Sequence, residues 1–135
     1  MAGLRLSLAA IVVHDYDEAI GFYVDALGFD LVEDTDRGEG RRWVVVRPAG
    51  AETGLLLARA SDDEQAGVVG RQTGGRVGFF LEVDDFEDQW ARMTSAGVEF
   101  LEQPRYEAYG TVAVFVDVAG NRWDLLGPPR ADRVG

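Results

Sequence analysis

The chain has no cysteine and no lysine, and it has one histidine, His14. Without cysteine there is no disulfide, no thiolate nucleophile and no cysteine-ligated metal. All 13 basic residues are arginine, and set against 24 acidic residues they leave a formal net charge of −11. Such an excess of negative charge repels the phosphates of nucleic acids and anionic lipids, so no nucleic acid and no membrane is expected as a partner. Long hydrophobic runs are missing too: none approaches the roughly 20 apolar residues of a membrane-spanning helix. The apolar stretch at 4–13, LRLSLAAIVV, alternates at first and runs into a helix start, which reads as a strand rather than a signal peptide. The expectation is a cytoplasmic protein of one domain, 1–135, long enough to bury a good core.

What is present is a repeated pattern. Asp15 is a good N-cap with Glu18 at the capping-box position, Ala19, Phe22, Tyr23 and Leu27 give a buried stripe, and Gly28 ends the helix. Strands follow at 29–33, 42–47 and 53–60, with a turn at 34–40. Residues 61–75 carry no clear period and read as a linker. A fifth strand at 76–83 leads to a second helix, opened by Asp84-Asp85, with Phe86, Trp90 and Met93 on one face and Gly97 at its end. A sixth strand is expected at 98–102, then a loop, and a hairpin over 110–127 that turns at Ala119-Gly120-Asn121. The order is βαβββ, linker, βαβββ. Asp15 and Asp85, Val13 and Val83, and Leu55-Leu56 and Leu125-Leu126 all lie 70 residues apart, while the helix-ending glycines lie 69 apart. This spacing implies two copies of one unit, at 4–60 and 76–127. The fold class is therefore α+β: two tandem βαβββ modules forming a curved mixed sheet with a cleft.

Val13-x-Asp15-x-Asp17-x-Ala19, then Phe22-Tyr23 and Leu27-Gly28-Phe29, resembles the opening of the vicinal oxygen chelate superfamily of glyoxalases, bleomycin-resistance proteins and extradiol dioxygenases. Asp117-x-x-Gly120-Asn121-x-Trp123-Asp124-Leu125 looks like its closing motif. The resemblance implies paired modules and commonly a homodimer, with a ligand cleft under each curved sheet. It also implies metal-ligand positions on strands one, four, five and eight in the metalloenzymes. Counted onto this chain, those positions fall on Leu8, Gly54, Gly78 and Asp124. One carboxylate is too few for a divalent ion, which needs three or more converging donors, so no metal and no other cofactor is expected.

Strand parity places Arg76, Gly78, Phe80 and Glu82 on the cleft face of strand five, and Gly54 on the cleft face of strand four, with the two glycines leaving room for an organic ligand. Trp43, Tyr106, Tyr109 and Phe115 lie near strand ends or loops. Asp124 points away from Trp123, with Arg76 or Arg122 as the expected partner. The candidate ligand-binding set is thus Trp43, Arg76, Phe80, Glu82, Tyr106, Tyr109, Phe115 and Asp124. His14 reads as a solvated loop residue. Three functional readings stand: a metal-free dimer holding a small, partly aromatic or cationic molecule in an apolar cleft, as in drug sequestration; a lyase, isomerase or dioxygenase using non-standard ligands such as Glu82, Asp124 and His14; or an interaction or regulatory protein that keeps only the fold.

Overall fold

Two aspartates set the helix starts. In the computed structural model, which describes residues 3–130, the carboxylates of Asp15 and Asp85 accept the amides of Glu18 and Asp88 at 2.8 and 3.0 Å. Each cap satisfies an amide that the first turn leaves without a partner. α1 (Tyr16–Ile20) runs directly into a π-helical segment (Gly21–Ala26), whose wider turn shows in the Leu27 amide bonding to the Phe22 carbonyl. α3 (Phe86–Ser95) buries Phe86 and Met93. The segment expected to be an unstructured linker holds a short helix, α2 (Asp63–Val68), capped by Asp62. It buries no side chain, so no apolar period marks it in the sequence.

The strands are β1 (Leu8–Val13), β2 (Asp30–Gly38), β3 (Arg41–Arg47), β4 (Gly54–Arg59), β5 (Val77–Glu82), β6 (Arg105–Glu107), β7 (Gly110–Val116) and β8 (Arg122–Gly127). They form two four-stranded sheets of identical order, β1-β4-β3-β2 and β5-β8-β7-β6, each with one parallel pair, β1/β4 or β5/β8. Two elements differ from expectation. β2 continues through Gly38, so the turn shrinks to Glu39-Gly40. The strand expected at 98–102 is reduced to one bridge, Phe100 to Phe115, and regular pairing resumes only at β6. Pro104, which has no N–H to donate, lies between the two.

The repeat is local rather than uniform. The N-caps are 70 apart, but β4 and β8 begin 68 apart. In the parallel ladders Leu8 faces Gly54, whereas Asp124 faces Phe80 and not Gly78. An irregularity between Val77 and Phe79, together with a longer β3–β4 connection, accounts for the slip. A single offset therefore cannot name equivalent positions in both ladders.

The core joins the modules. The ring of Trp123 lies 5.0 Å from Phe79 and 5.7 Å from Phe115 in its own module, and 5.8 Å from Tyr23 and 6.4 Å from Phe29 in the other. Beside it, the buried Asp117 carboxylate accepts six hydrogen bonds: from the amides of Ala119, Gly120 and Asn121, from the Asn121 side chain, from Trp123 Nε1 and from the Tyr23 hydroxyl at 2.6 Å. Burial, then the Asp117 charge, pushes the Tyr23 phenol well above its ordinary pKa, so it remains a donor. The Asp117-x-x-Gly120-Asn121-x-Trp123 motif is thus a turn organised by one anion. Gly70 packs against the Ala119-Gly120 backbone of that turn, and two residues on Gln72 donates to the Ala10 carbonyl at 2.6 Å and accepts from the Val12 amide at 2.9 Å, lying along the outer edge of β1.

Candidate functional site

β3 and β4 pair at only two positions, Val45 with Leu56 and Val46 with Leu55. β4 stays on β1 as far as Arg59, and β3 stays on β2 back to Arg41, so the two strands part beyond that point. The gap between them is a cleft of about 940 Å³. Its walls carry Tyr16, Trp43 and four arginines, Arg37, Arg41, Arg42 and Arg59, with Leu56 and Ala58 on β4. Tyr16 comes from the first turn of α1, and its hydroxyl accepts the Arg42 amide at 3.1 Å. The guanidinium carbons of Arg42 and Arg59 lie 5.1 and 5.2 Å from its ring, and that of Arg37 lies 5.7 Å from the Trp43 ring. These are cation–π distances.

The arginines are not equivalent. Arg42 is neutralised by Asp34 at 2.7 Å and Asp17 at 2.9 Å. The bond to Asp34, then that to Asp17, raises its pKa, and the same bond holds the Asp34 carboxyl below its usual range. Arg37, Arg41 and Arg59 have no carboxylate partner among the described residues.

The second sheet presents a different open face. Phe80, 59% exposed, lies opposite Asp124, with Glu82 one pleat further along β5. Asp124 is half-buried, and its carboxylate makes no hydrogen bond among the described residues. Burial raises its pKa, Arg105 opposes that rise, and Glu102 adds to it. The nearby cation is Arg105 on β6, not Arg76 or Arg122 as expected. Arg105 itself pairs with Glu102 at 2.8 Å and Glu107 at 3.5 Å.

The expected set is therefore divided. Phe80, Glu82 and Asp124 share one face, while Trp43 lies in the cleft of the other module. Tyr109 is 70% exposed; half-buried Tyr106 carries Arg130 over its ring at 4.3 Å. Arg76 is exposed, and among the described residues its guanidinium bonds only to the Val77 carbonyl, at 3.3 Å. Phe115 departs from expectation: it is 0% exposed, in contact with Trp123 and Phe100, because its parity on β7 turns it to the core. The room expected above two glycines is taken as well. A Cβ on Gly78 would collide with the Thr73 side chain, and one on Gly54 would lie 3.1 Å from Val45 and 3.3 Å from Leu8. His14 is exposed at the strand-to-helix bend, as expected. The sequence reading missed Tyr16, Arg37, Arg41, Arg42 and Arg59; the available signal, for Arg37, Arg41 and Arg42, was the concentration of arginines at 37–42 in an acidic chain.

The donor set does not fit a metal. Leu8 and Gly54 carry no ligating side chain, neither Gly78 nor Phe80 does, and Asp124 is alone. Among the described residues no group of three or more His, Asp or Glu side chains is placed to hold an ion.

The family model of the Glyoxalase/Bleomycin resistance protein/Dioxygenase superfamily matches residues 5–125. The chain belongs to that superfamily. A relative within reach of this glyoxalase/bleomycin-resistance-like chain is an uncharacterized protein of Shewanella frigidimarina, 56% identical over 119 residues, covering 87% of this chain and 88% of the relative. Among solved structures it is similar to UcmS2, with 32% identity and a TM-score of 0.79 over 93% of this chain and 98% of the other. It is also similar to TnmS3, an antibiotic binding protein from Streptomyces sp. CB03234, with 32% identity and a TM-score of 0.75 over 95% and 98%. No helix among the described residues is long and apolar enough to cross a membrane.

Proposed function

We propose that this superfamily member binds a small organic molecule rather than transforming it, as a homodimer in the cytoplasm. The observation that carries the reading is a cleft of about 940 Å³ walled by aromatic rings and arginines, in a fold whose metal positions hold Leu8, Gly54, Phe80 or Gly78, and Asp124. A cavity of this volume suits a drug-sized ligand. The likeness to an antibiotic binding protein at 32% identity supports drug sequestration as the biological purpose. Dimerisation is supported by exposed apolar side chains, Leu4 at 101%, Leu6 at 68% and Phe80 at 59%. The cysteine-free composition agrees with a reducing compartment.

The test is a thermal-shift screen of an antibiotic and natural-product library, with and without added divalent metals. A ligand that prefers the native state raises the melting temperature without being consumed. Turnover, or a stoichiometric metal retained through native purification, would replace this reading with that of a metalloenzyme. Sedimentation at micromolar protein should show a dimer burying at least roughly 1,200 Å²; a monomer would remove that part.

A further inference from the structure

The charge of the cleft opposes that of the molecule. Four of the 13 arginines of a chain with net charge −11 line it, against one carboxylate, Glu39. Two acids offset Arg42, and none offsets Arg59, Arg37 or Arg41. The guanidinium of Arg59 extends from the end of β4 across to the β2–β3 turn, where a Cβ on Gly40 would lie 3.3 Å from its terminal nitrogen. Gly40 has φ +77° and no side chain, so it leaves that nitrogen uncovered. Tyr16 supports the flat face of the same guanidinium, at 5.2 Å. A guanidinium held by its face keeps its N–H donors, which lie at its edge, available to an anion in the cleft.

We propose that the β3/β4 cleft selects an aromatic organic anion: a planar ring system carrying a carboxylate or a comparably acidic group. The ring lies on Trp43 and Leu56, and the anionic group reaches Arg59, which projects from the opposite face of β4, through the opening between the strands, with Arg37 and Arg41 at the mouth. This deepens the binding reading above and rests on it. It also reverses the preference for a cationic ligand that the negative net charge suggests, because the cleft and the whole surface differ in sign. Arg42 already has two carboxylates while Arg59 has none among the described residues, and an anion in the cleft supplies the missing one where solvent is partly excluded.

The experiment compares three isosteric probes on the intact protein: naphthalene-2-carboxylate, the neutral naphthalene-2-carboxamide and the cation 2-naphthylmethylammonium. Calorimetric titration and thermal shift should rank the carboxylate first, with affinity falling as salt rises. Arg59→Gln should weaken carboxylate binding about 10-fold or more while changing amide binding little. Arg37→Gln should produce a smaller loss in the same direction, and Arg71→Gln, on the exposed linker, none. Equal binding of all three probes, or an Arg59→Gln protein with unchanged carboxylate affinity, overturns the anion selectivity and leaves the binding reading standing. Lack of stabilisation by the carboxylate at millimolar concentration also overturns the inference. The binding reading itself falls only if the wider library, neutral and cationic compounds included, stabilises nothing.

Discussion

β3/β4 and β7/β8 occupy the same place in two copies of one topology, yet one hairpin is split and the other closed. β7 and β8 pair at six positions, and their turn is gathered by Asp117. β3 and β4 pair at two, and the residue 70 before Asp117 is Arg47, which cannot accept an amide. The first turn keeps Ala49-Gly50 in phase with Ala119-Gly120, but among the described residues no carboxylate gathers its amides; the Ala51 amide bonds to the Pro48 carbonyl and the Thr53 hydroxyl to the Leu6 carbonyl. Its two pairs nonetheless lie directly beside the turn, and the strands part at the far end, where the Tyr16 hydroxyl takes the Arg42 amide. One module's turn organises the shared core, and the other module opens a cleft at the end remote from its turn.

Asp117→Ala should break the comparison most severely. It removes six contacts and leaves buried donors without an acceptor, and urea denaturation should show a loss of about 3–5 kcal/mol. Tyr23→Phe cuts the one link from that anion into the first module, and the same measurement should give a loss of about 1.5–3 kcal/mol. An unchanged midpoint for either variant would mean that the turn is not the organiser. Gln72→Ala removes two hydrogen bonds from the edge of β1, costing about 1 kcal/mol, and should speed hydrogen exchange at the Val12 amide while the amide of Val114 keeps its protection.

The smallest effects concern two aspartates with opposite shifts. Asp34 in the first module has a lowered pKa, so its stabilisation is present above about pH 4 and is lost as pH falls through the folded-state value. Asp124 in the second has a raised pKa, so its charged form opposes folding and stability declines as pH rises through the folded-state value. Asp34→Asn should therefore lower the melting temperature at pH 7 and not at pH 3. Asp124→Asn should raise it slightly at pH 7 and not at pH 3, the reverse of what a paired Asp124 would show. Melting curves at the two pH values decide both signs.

The helix starts were legible because a cap is local: Asp15 and Asp85 need only the amide three residues on. The module order was legible because strand alternation and terminal glycines follow the chain. The cleft was not, because it comes from strand register. Nothing in the adjacent residues of Trp43 says that β4 leaves β3 after two pairs. Asp124 shows the same limit in electrostatics, for its neighbouring cation is supplied by Arg105 on β6, across a loop whose strand begins later than periodicity suggests. α2 escaped because a helix that buries nothing leaves no stripe.

The side chain of Gln72 has a consequence for how copies of the chain can meet. An open sheet invites another strand at each edge, and growth there is self-propagating. On β1 the Gln72 amide already occupies the Ala10 carbonyl and the Val12 N–H, imitating one rung of a neighbouring strand and supplying no further rung. β2, at the other edge of that sheet, is interrupted by irregular pairing at two places and carries five charged side chains, Asp30, Glu33, Asp34, Asp36 and Arg37. β6 is three residues long. Lateral growth into fibres or ribbons is thereby discouraged at these three edges. A second copy that adds as a strand would have to do so at β5, the fourth edge.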